Sequence, residues 1–150
     1  MGALAALLAC HLIQLDVSID CVRLNDSPRQ VHAVLGRPTR AISMPPRRIG
    51  YLVRTDVYRT RRVRVTYLLG GDRLYVYEVT TRNPTDRTPR GVGVGSTVHE
   101  VLRKVPGSSC GSEFLVGTYC RRPQEGGVGG TFFQVRNGHV TSVSVFAPPF

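Results

Sequence analysis

Residues 91–107 read GVGVGSTVHEVLRKVPG, and residues 22–36, VRLNDSPRQVHAVLG, follow the same plan 70 positions earlier. Each stretch begins with alternating apolar residues and passes through a tight turn into a capping box, a hydroxyl residue followed three positions later by Glu or Gln. The two boxes are Ser27 with Gln30 and Thr97 with Glu100. Apolar residues then recur at helical spacing until Gly or Pro interrupts them. The repetition predicts two short helices with matching caps.

The glycines at 91, 93 and 95 raise the alternative of a phosphate-binding loop. A dinucleotide fingerprint needs G-x-G-x-x-G, whereas Ser96 and Thr97 follow Gly95 directly. Residues 24–26, Leu-Asn-Asp, occupy the same place in the first copy without any glycine. We therefore interpret the glycines as turn residues and keep anion binding at the helix N-terminus as the minor alternative.

Strand patterns follow each predicted helix. Residues 63–67 alternate between apolar and polar types, residues 70–72 form a turn, and residues 74–80 return. In the second copy, Asn137-Gly138 is a strong hairpin signal. Residues 37–60 are predicted to be mainly loop, with one strand near residues 49–53. The sequence thus predicts an α+β fold in which two tandem helix-plus-antiparallel-strand units form a helix-packed antiparallel sheet.

The domain boundaries follow from this repetition. The predicted division is a signal-like or N-terminal apolar segment (1–21), a first helix/hairpin unit (22–82), a linker (83–90) and a second helix/hairpin unit (91–150). The first fifteen residues, MGALAALLACHLIQL, carry no charge and are too short to span a bilayer as a helix. They resemble the apolar part of a secretion signal but lack its basic start, so a buried first element is the alternative.

The four cysteines favour an oxidising compartment. Cys110 and Cys120 close the short loop CGSEFLVGTYC, which predicts a disulfide, with two buried thiols as the alternative. Three outcomes stay open for Cys10 and Cys21: a disulfide between them, a lipid anchor at Cys10, or removal of Cys10 with a signal. No metal site and no cofactor are predicted, because neither Cys-x-x-Cys spacing nor a histidine pair is present. We expect an extracytoplasmic protein, secreted or in the cell envelope.

The charge balance points to anionic partners. The chain has a net charge of +10, and a field of this size attracts polyanions. Residues 47–90 are the most basic part. The candidate binding residues there are four arginines, Arg59, Arg61, Arg62 and Arg64, with three tyrosines for stacking, Tyr67, Tyr75 and Tyr77. A solvated sheet face is the alternative explanation for the same residues.

A family resemblance rests on two quoted stretches, VRLNDSPRQVHAVLGRPTR (22–40) and GVGVGSTVHEVLRKVPGSSC (91–110), with hairpin strands between them. They resemble the helix-start motif of the small outer-membrane-assembly lipoproteins and of the tandem-repeat β-lactamase inhibitory proteins. They are more similar still to secreted actinobacterial proteins with two such units. The resemblance covers residues 22–146 and consists mainly of turn and cap residues. It implies a protein that binds proteins or envelope components without catalysis, although no inhibitor contact residue can be carried over.

Catalytic motifs are weak in this chain. Residues 107–111, Gly-Ser-Ser-Cys-Gly, satisfy G-x-S-x-G but follow a predicted helix, whereas a nucleophile elbow joins a strand to a following helix. We therefore predict an exported, non-enzymatic binding module for an envelope component or a protein partner. The alternatives are an inhibitor of a secreted enzyme and a basic nucleic-acid-binding protein or nuclease. Salt dependence of binding separates the charge-based alternatives from the inhibitor.

Overall fold

The computed structural model describes residues 10–44, 52–124 and 129–147. Strands hold 51% of these residues and helices 12%. The elements in chain order are β1 (Ile13–Gln14), β2 (Ser18–Ile19), β3 (Val22–Arg23), α1 (Pro28–Leu35), β4 (Arg40–Met44), β5 (Val53–Tyr58), β6 (Val63–Gly70), β7 (Arg73–Thr81), α2 (Val98–Lys104), β8 (Ser109–Glu113), β9 (Gly117–Pro123), β10 (Gly130–Arg136) and β11 (His139–Phe146).

The predicted fold class, helix-packed α+β units, is wrong, because the described residues are mostly β. Eight strands form one antiparallel sheet in the order β4-β5-β6-β7-β11-β10-β9-β8, and β1, β2 and β3 form a second, three-stranded sheet. Residues 37–60, expected to be mainly loop, contain β4 and β5. The expected strand near residues 49–53 lies largely outside the described residues. The helices span only two turns each, so strands carry most of the architecture.

The order of the sheet bears on the predicted domains. In chain order, α1 precedes β4–β7 and α2 precedes β8–β11, and β7 pairs with β11 at the centre of the large sheet. Strands from residues 22–82 and 91–150 therefore belong to one continuous sheet, and the division into two units stays a prediction.

Both predicted capping boxes are confirmed. Ser27 Oγ accepts a hydrogen bond from the backbone N–H of Gln30, and Gln30 Oε1 accepts one from the backbone N–H of Ser27. Thr97 and Glu100 make the same reciprocal pair. These contacts satisfy backbone donors that the first turn of a helix leaves unpaired, which explains why such short helices begin where the sequence placed them.

The core lies on one face of the large sheet. Alternate residues on this face pack against the three-stranded sheet and the buried sides of the helices, and they include Val65, Val79, Phe133 and Val143. Side chains at intervening positions point to the opposite face. Arg64, Thr80 and Ser144 lie side by side there on neighbouring strands. That face is polar, and it includes the exposed side chain of Arg64.

The predicted linker, residues 83–90, packs into the fold, and Asp86 and Thr88 are buried. Gly93 runs so close to the Asp86 carbonyl that a Cβ at this position would collide with it. Gly91 and Gly95 have φ angles of +83° and +94°, which glycine adopts without strain. The glycine series therefore has a structural explanation at each position.

All four cysteines form disulfides. The predicted Cys110–Cys120 bond is present and joins directly opposed positions of β8 and β9. Cys10 pairs with Cys21, which is one of the three outcomes left open by the sequence.

Candidate functional site

An arginine-lined groove lies where the β5–β6 hairpin meets the end of β7. Its volume is about 380 Å³. The lining residues are Val57, Tyr58, Arg59, Arg62, Val63, Arg64, Thr80 and Arg82. We call Arg59, Arg62, Arg64 and Arg82 the groove arginines. Three of them are candidate binding residues from the sequence, and all four are exposed.

Arg82 was missed by sequence reasoning because it follows β7, far along the chain from the other three. The pairing of Val63 with Thr81 brings the end of β7 beside the start of β6. The Arg82 amide then donates to the Arg62 carbonyl at 2.9 Å. The sequence did carry one signal: Arg82 directly follows the strand that was predicted to pair with residues 63–67.

None of the groove arginines contacts a carboxylate of the described residues, in contrast to Arg54, Arg61 and Arg122. Arg54 contacts Asp56 with its Nε 2.9 Å from Oδ1, and Arg122 contacts Asp16 at 2.9 Å. Arg61, a fourth predicted binding residue, turns away from the groove, and its Nη1 lies 3.4 Å from Asp20 Oδ2. The fold thus anchors some arginines with carboxylates and leaves one cluster unneutralised.

The groove has donors suited to anions. Each guanidinium carries five N–H donors in a planar fork that matches carboxylate and phosphate oxygens. Tyr58 also lines the groove, but its hydroxyl donates to the Gly36 carbonyl at 3.4 Å. Burial, aided by the charge of Asp56, raises the pKa of Tyr58 to about 12. The arrangement therefore offers recognition of negative charge.

The predicted tyrosines lie elsewhere. Tyr67 is fully buried, its hydroxyl donates to Asp56 Oδ2 at 3.3 Å, and its ring lies under Arg54. Burial is the main cause of the raised pKa of Tyr67. Tyr75 and Tyr77 are half-buried on β7, outside the groove lining. The structure does not bring these rings together with the groove arginines.

Asp56 is the centre of a buried network beneath this part of the sheet. The carboxylate is fully buried, and His32 Nε2 lies 3.0 Å from its Oδ2. Arg54 and Tyr67 complete the contacts. Buried charges of this kind are tolerated when they are paired and hydrogen-bonded, so we assign the network a structural role.

A second feature is the turn of the β8–β9 hairpin, Phe114–Val116, which we call the apolar tip. Phe114 is 101% exposed and Leu115 is 91% exposed. The Cys110–Cys120 bond closes the hairpin behind the tip, and the Tyr119 hydroxyl donates to Glu113 at 2.7 Å. The large apolar side chains on this closed turn form an exposed apolar patch, a feature typical of contact surfaces.

A third feature joins three distant parts of the sequence. His11 Nδ1 lies 3.0 Å from Asp86 Oδ1 and 3.8 Å from Asp20 Oδ1. Both aspartates are fully buried. Burial, and next the charge of Asp86, raises the pKa of Asp20, while Arg61 and His11 oppose the rise. Sequence reasoning missed this cluster because its residues are separated by up to 75 positions.

Comparison with known proteins identifies a distant structural relative. No protein-family model and no curated protein matches the chain. The chain is similar to the solved structure of an extracellular protein from Bacillus anthracis str. Ames that contains an SCP domain, with 13% identity and a TM-score of 0.50. The alignment covers 82% of this chain and 43% of that one. At this identity the likeness shows the fold alone.

The disulfides bear on the location of the protein. Two disulfides fit an oxidising, extracytoplasmic compartment. Neither helix in the described part of the chain is long and apolar enough to cross a membrane.

Proposed function

We propose that this protein is an exported, non-enzymatic binding module whose groove takes an acidic polymer of the cell envelope through its carboxylate or phosphate groups. The observation that carries the proposal is the groove itself. It gathers four exposed arginines, Arg59, Arg62, Arg64 and Arg82, and none of them has an acidic partner in the described part of the chain.

Electrostatics favours a ligand at this position. Like charges gathered around one cleft repel each other, and the net charge of +10 adds to the local potential. A bound anion relieves the repulsion and receives charge-assisted hydrogen bonds, which are stronger than neutral ones. In arginines such as Arg54, a neighbouring carboxylate of the protein already neutralises the charge.

The side chains of the groove support recognition more than proton transfer. Guanidinium groups stay protonated at any physiological pH. The Thr80 hydroxyl contacts Ser144 Oγ at 2.7 Å and Glu78 at 3.2 Å, and the Tyr58 hydroxyl is held by Gly36. Neither hydroxyl is poised as a general base, which supports binding without chemistry.

The test compares two charge-matched double variants. Arg64→Ser/Arg82→Ser removes two groove arginines, and Arg29→Ser/Arg103→Ser removes two exposed arginines from α1 and α2. Arg62 is left intact because its φ of +55° makes substitution a backbone change as well. The probes are polyglutamate, inorganic polyphosphate and duplex DNA, with affinity measured across a salt titration.

We expect the groove variant to bind polyglutamate or polyphosphate about thirtyfold more weakly, from about 1 kcal/mol per arginine. Its salt dependence should also fall, because fewer counterions are displaced. The helix variant should lose much less. Equal losses in the two variants would reject the groove, and tightest binding to DNA would favour the nucleic-acid alternative.

A second candidate function, inhibition or capture of a secreted protein, is favoured by the apolar tip. Its rigid closure lowers the ordering cost of binding, and Phe114 and Leu115 are large side chains available for a partner's pocket. Phe114→Ser/Leu115→Ser should abolish association with an extracellular protein at about 1 M salt, where charge effects are screened. Arg64→Ser/Arg82→Ser should leave that association unchanged. The reverse pattern would reject this candidate.

A further inference from the structure

The cluster of His11, Asp20 and Asp86 lies where the N-terminal segment meets residues 83–90. The Arg87 amide donates to the His11 carbonyl at 3.1 Å, and the Ile13 amide donates to the Arg87 carbonyl at 2.8 Å. The Cys10–Cys21 disulfide brackets the segment that carries His11 and Asp20. Backbone pairing and a covalent bond therefore fix the three side chains relative to one another.

The donor atoms have the spacing of metal ligands. His11 Nδ1 lies 3.0 Å from Asp86 Oδ1 and 3.8 Å from Asp20 Oδ1, and the three donor atoms all lie within 4.8 Å of one another. An ion about 2.0 to 2.2 Å from each of three ligands places those ligands roughly 3 to 4.5 Å apart. Only small side-chain adjustments are needed to accommodate it.

An unpaired carboxylate oxygen provides the second observation. Asp20 is 0% exposed, and its Oδ1 has no hydrogen-bond partner. Its other oxygen, Oδ2, is the one that Arg61 contacts. A buried polar atom without a partner is costly, and this one faces both His11 Nδ1 and Asp86.

We propose that His11 Nδ1, Asp20 Oδ1 and Asp86 Oδ1 bind a divalent transition-metal ion, with Zn²⁺ as the best match. One imidazole nitrogen and two carboxylate oxygens form a donor set that Zn²⁺ takes readily, whereas Mg²⁺ and Ca²⁺ prefer oxygen ligands throughout. This site is independent of the arginine groove.

Neighbouring residues supply the outer contacts that orient metal ligands. Thr81 Oγ1 donates to Asp86 Oδ2, and Arg61 holds Asp20 Oδ2. A metal bound to His11 Nδ1 replaces the 3.0 Å hydrogen bond of this nitrogen to Asp86 Oδ1 and its 3.4 Å contact with the Thr85 hydroxyl. The His11 side chain is 41% exposed, which gives an ion a route to the buried carboxylates and leaves a coordination position for water.

The experiment uses the full chain with its disulfides intact, stripped of metal by a chelator. Native mass spectrometry and calorimetry with ZnCl₂ at neutral pH should show one tight Zn²⁺ per chain. Asp20→Asn and His11→Gln should each weaken it by more than about a hundredfold, since loss of an outer contact alone costs about ten- to a hundredfold, and Co²⁺ should give visible absorption bands that both variants lose. His32→Gln is the matched control, since His32 also contacts a buried aspartate, Asp56, but has no second carboxylate.

Three results would overturn the site: no stoichiometric Zn²⁺ binding, equal affinity in the wild type and both variants, or equal loss in His32→Gln. Tighter binding of Mg²⁺ or Ca²⁺ than of Zn²⁺ would also reject the proposed metal class. If Asp20→Asn fails to fold, His11→Gln still decides the question, because His11 is partly exposed and its loss leaves the core intact.

Discussion

The strands β4–β7 and β8–β11 each follow a capped helix, yet the two groups are stabilised by different means. The first group buries a carboxylate, Asp56, and pairs it with Arg54 and His32. The second has no buried carboxylate in its described residues and is closed by the Cys110–Cys120 bond. In the first group, Asp56 forms its ion pairs in the interior, whereas the groove arginines at the surface have no carboxylate partner among the described residues. The covalently closed hairpin of the second can hold apolar side chains in water.

The largest expected effect on stability concerns the buried Asp56 network of β4–β7. Asp56→Asn removes the charge that His32 and Arg54 contact, and it should lower the free energy of unfolding by about 3 to 5 kcal/mol. Urea unfolding measures the change. Asp72→Asn, on the exposed turn between β6 and β7, should stay within about 0.5 kcal/mol. Similar losses for the two variants would show that the network stabilises nothing.

The next largest effect concerns the disulfide that closes the β8–β9 hairpin. Cys110→Ser/Cys120→Ser opens a loop with a sequence separation of 10, which should lower stability by about 3 kcal/mol through the freer unfolded chain. Hydrogen exchange should accelerate in β8 and β9 while β5 and β6 keep their protection. Uniform acceleration across the sheet would mean that the two strand groups do not differ in this way.

The caps should give smaller and equal effects. Ser27→Ala and Thr97→Ala each remove the side-chain acceptor of a helix start, and each should lower the free energy of unfolding by about 1 kcal/mol. Chemical denaturation of both variants under identical conditions provides the check. A neutral result for one and a severe result for the other would contradict the equivalence of the two helix starts.

The smallest effect separates the caps by pH. The Thr97 backbone amide donates to Glu100 and lowers the pKa of its carboxyl, whereas Gln30 in the other box does not titrate. A lowered folded-state pKa adds stability above the unfolded pKa and loses it as the pH falls through the folded value. We expect acid to weaken the α2 cap alone. Glu100→Gln should remove that acid sensitivity in melts compared at neutral pH and near pH 3, and a Ser27 cap with equal sensitivity would contradict this account.

Two other arginines, Arg121 and Arg122, are less suitable as controls for the groove. Arg121 and Arg122 lie on β9, far along the sheet from the groove, but Arg122 Nε contacts Asp16 Oδ2 and its Nη1 donates to the Pro106 carbonyl. Substituting it would disturb the packing of the N-terminal segment. Arg29 and Arg103 on the helices are better matched to the exposed groove arginines.

Local signals in the sequence predicted the helices, their caps, the hairpin at Asn137-Gly138 and the Cys110–Cys120 bond, because each depends on residues close in the chain. The edge strands β4 and β8 were missed since most of their side chains are exposed on both faces, which leaves no apolar alternation. The two-residue strands β1–β3 are shorter than any detectable period. The fold class was wrong for these reasons.

In the candidate sites too, contacts between residues close in the chain were predictable and contacts between distant residues were not. Arg59, Arg62 and Arg64 were predictable as a cluster because they lie close together in the sequence, whereas Arg82 reaches the groove only through the pairing of β6 with β7. The contacts of His11 with Asp20 and Asp86 depend on the docking of the N-terminal segment, which no local pattern encodes. Tyr67 shares the core face with Val63 and Val65. The alternation along residues 63–67 already indicated that face, and the choice of Tyr67 as a binding residue did not take it into account.

The Cys110–Cys120 bond also determines which strand the large sheet presents at its border. Cys120 lies in the core, and Cys110 lies on β8, the outermost described strand on that side. With its small and polar residues, β8 has little besides its backbone ladder to hold it once the thiols are reduced. Dissociation of β8 would expose the backbone donors and acceptors of β9, and exposed edge strands can pair with other chains. An oxidising environment therefore keeps β8 in place at this edge of the sheet.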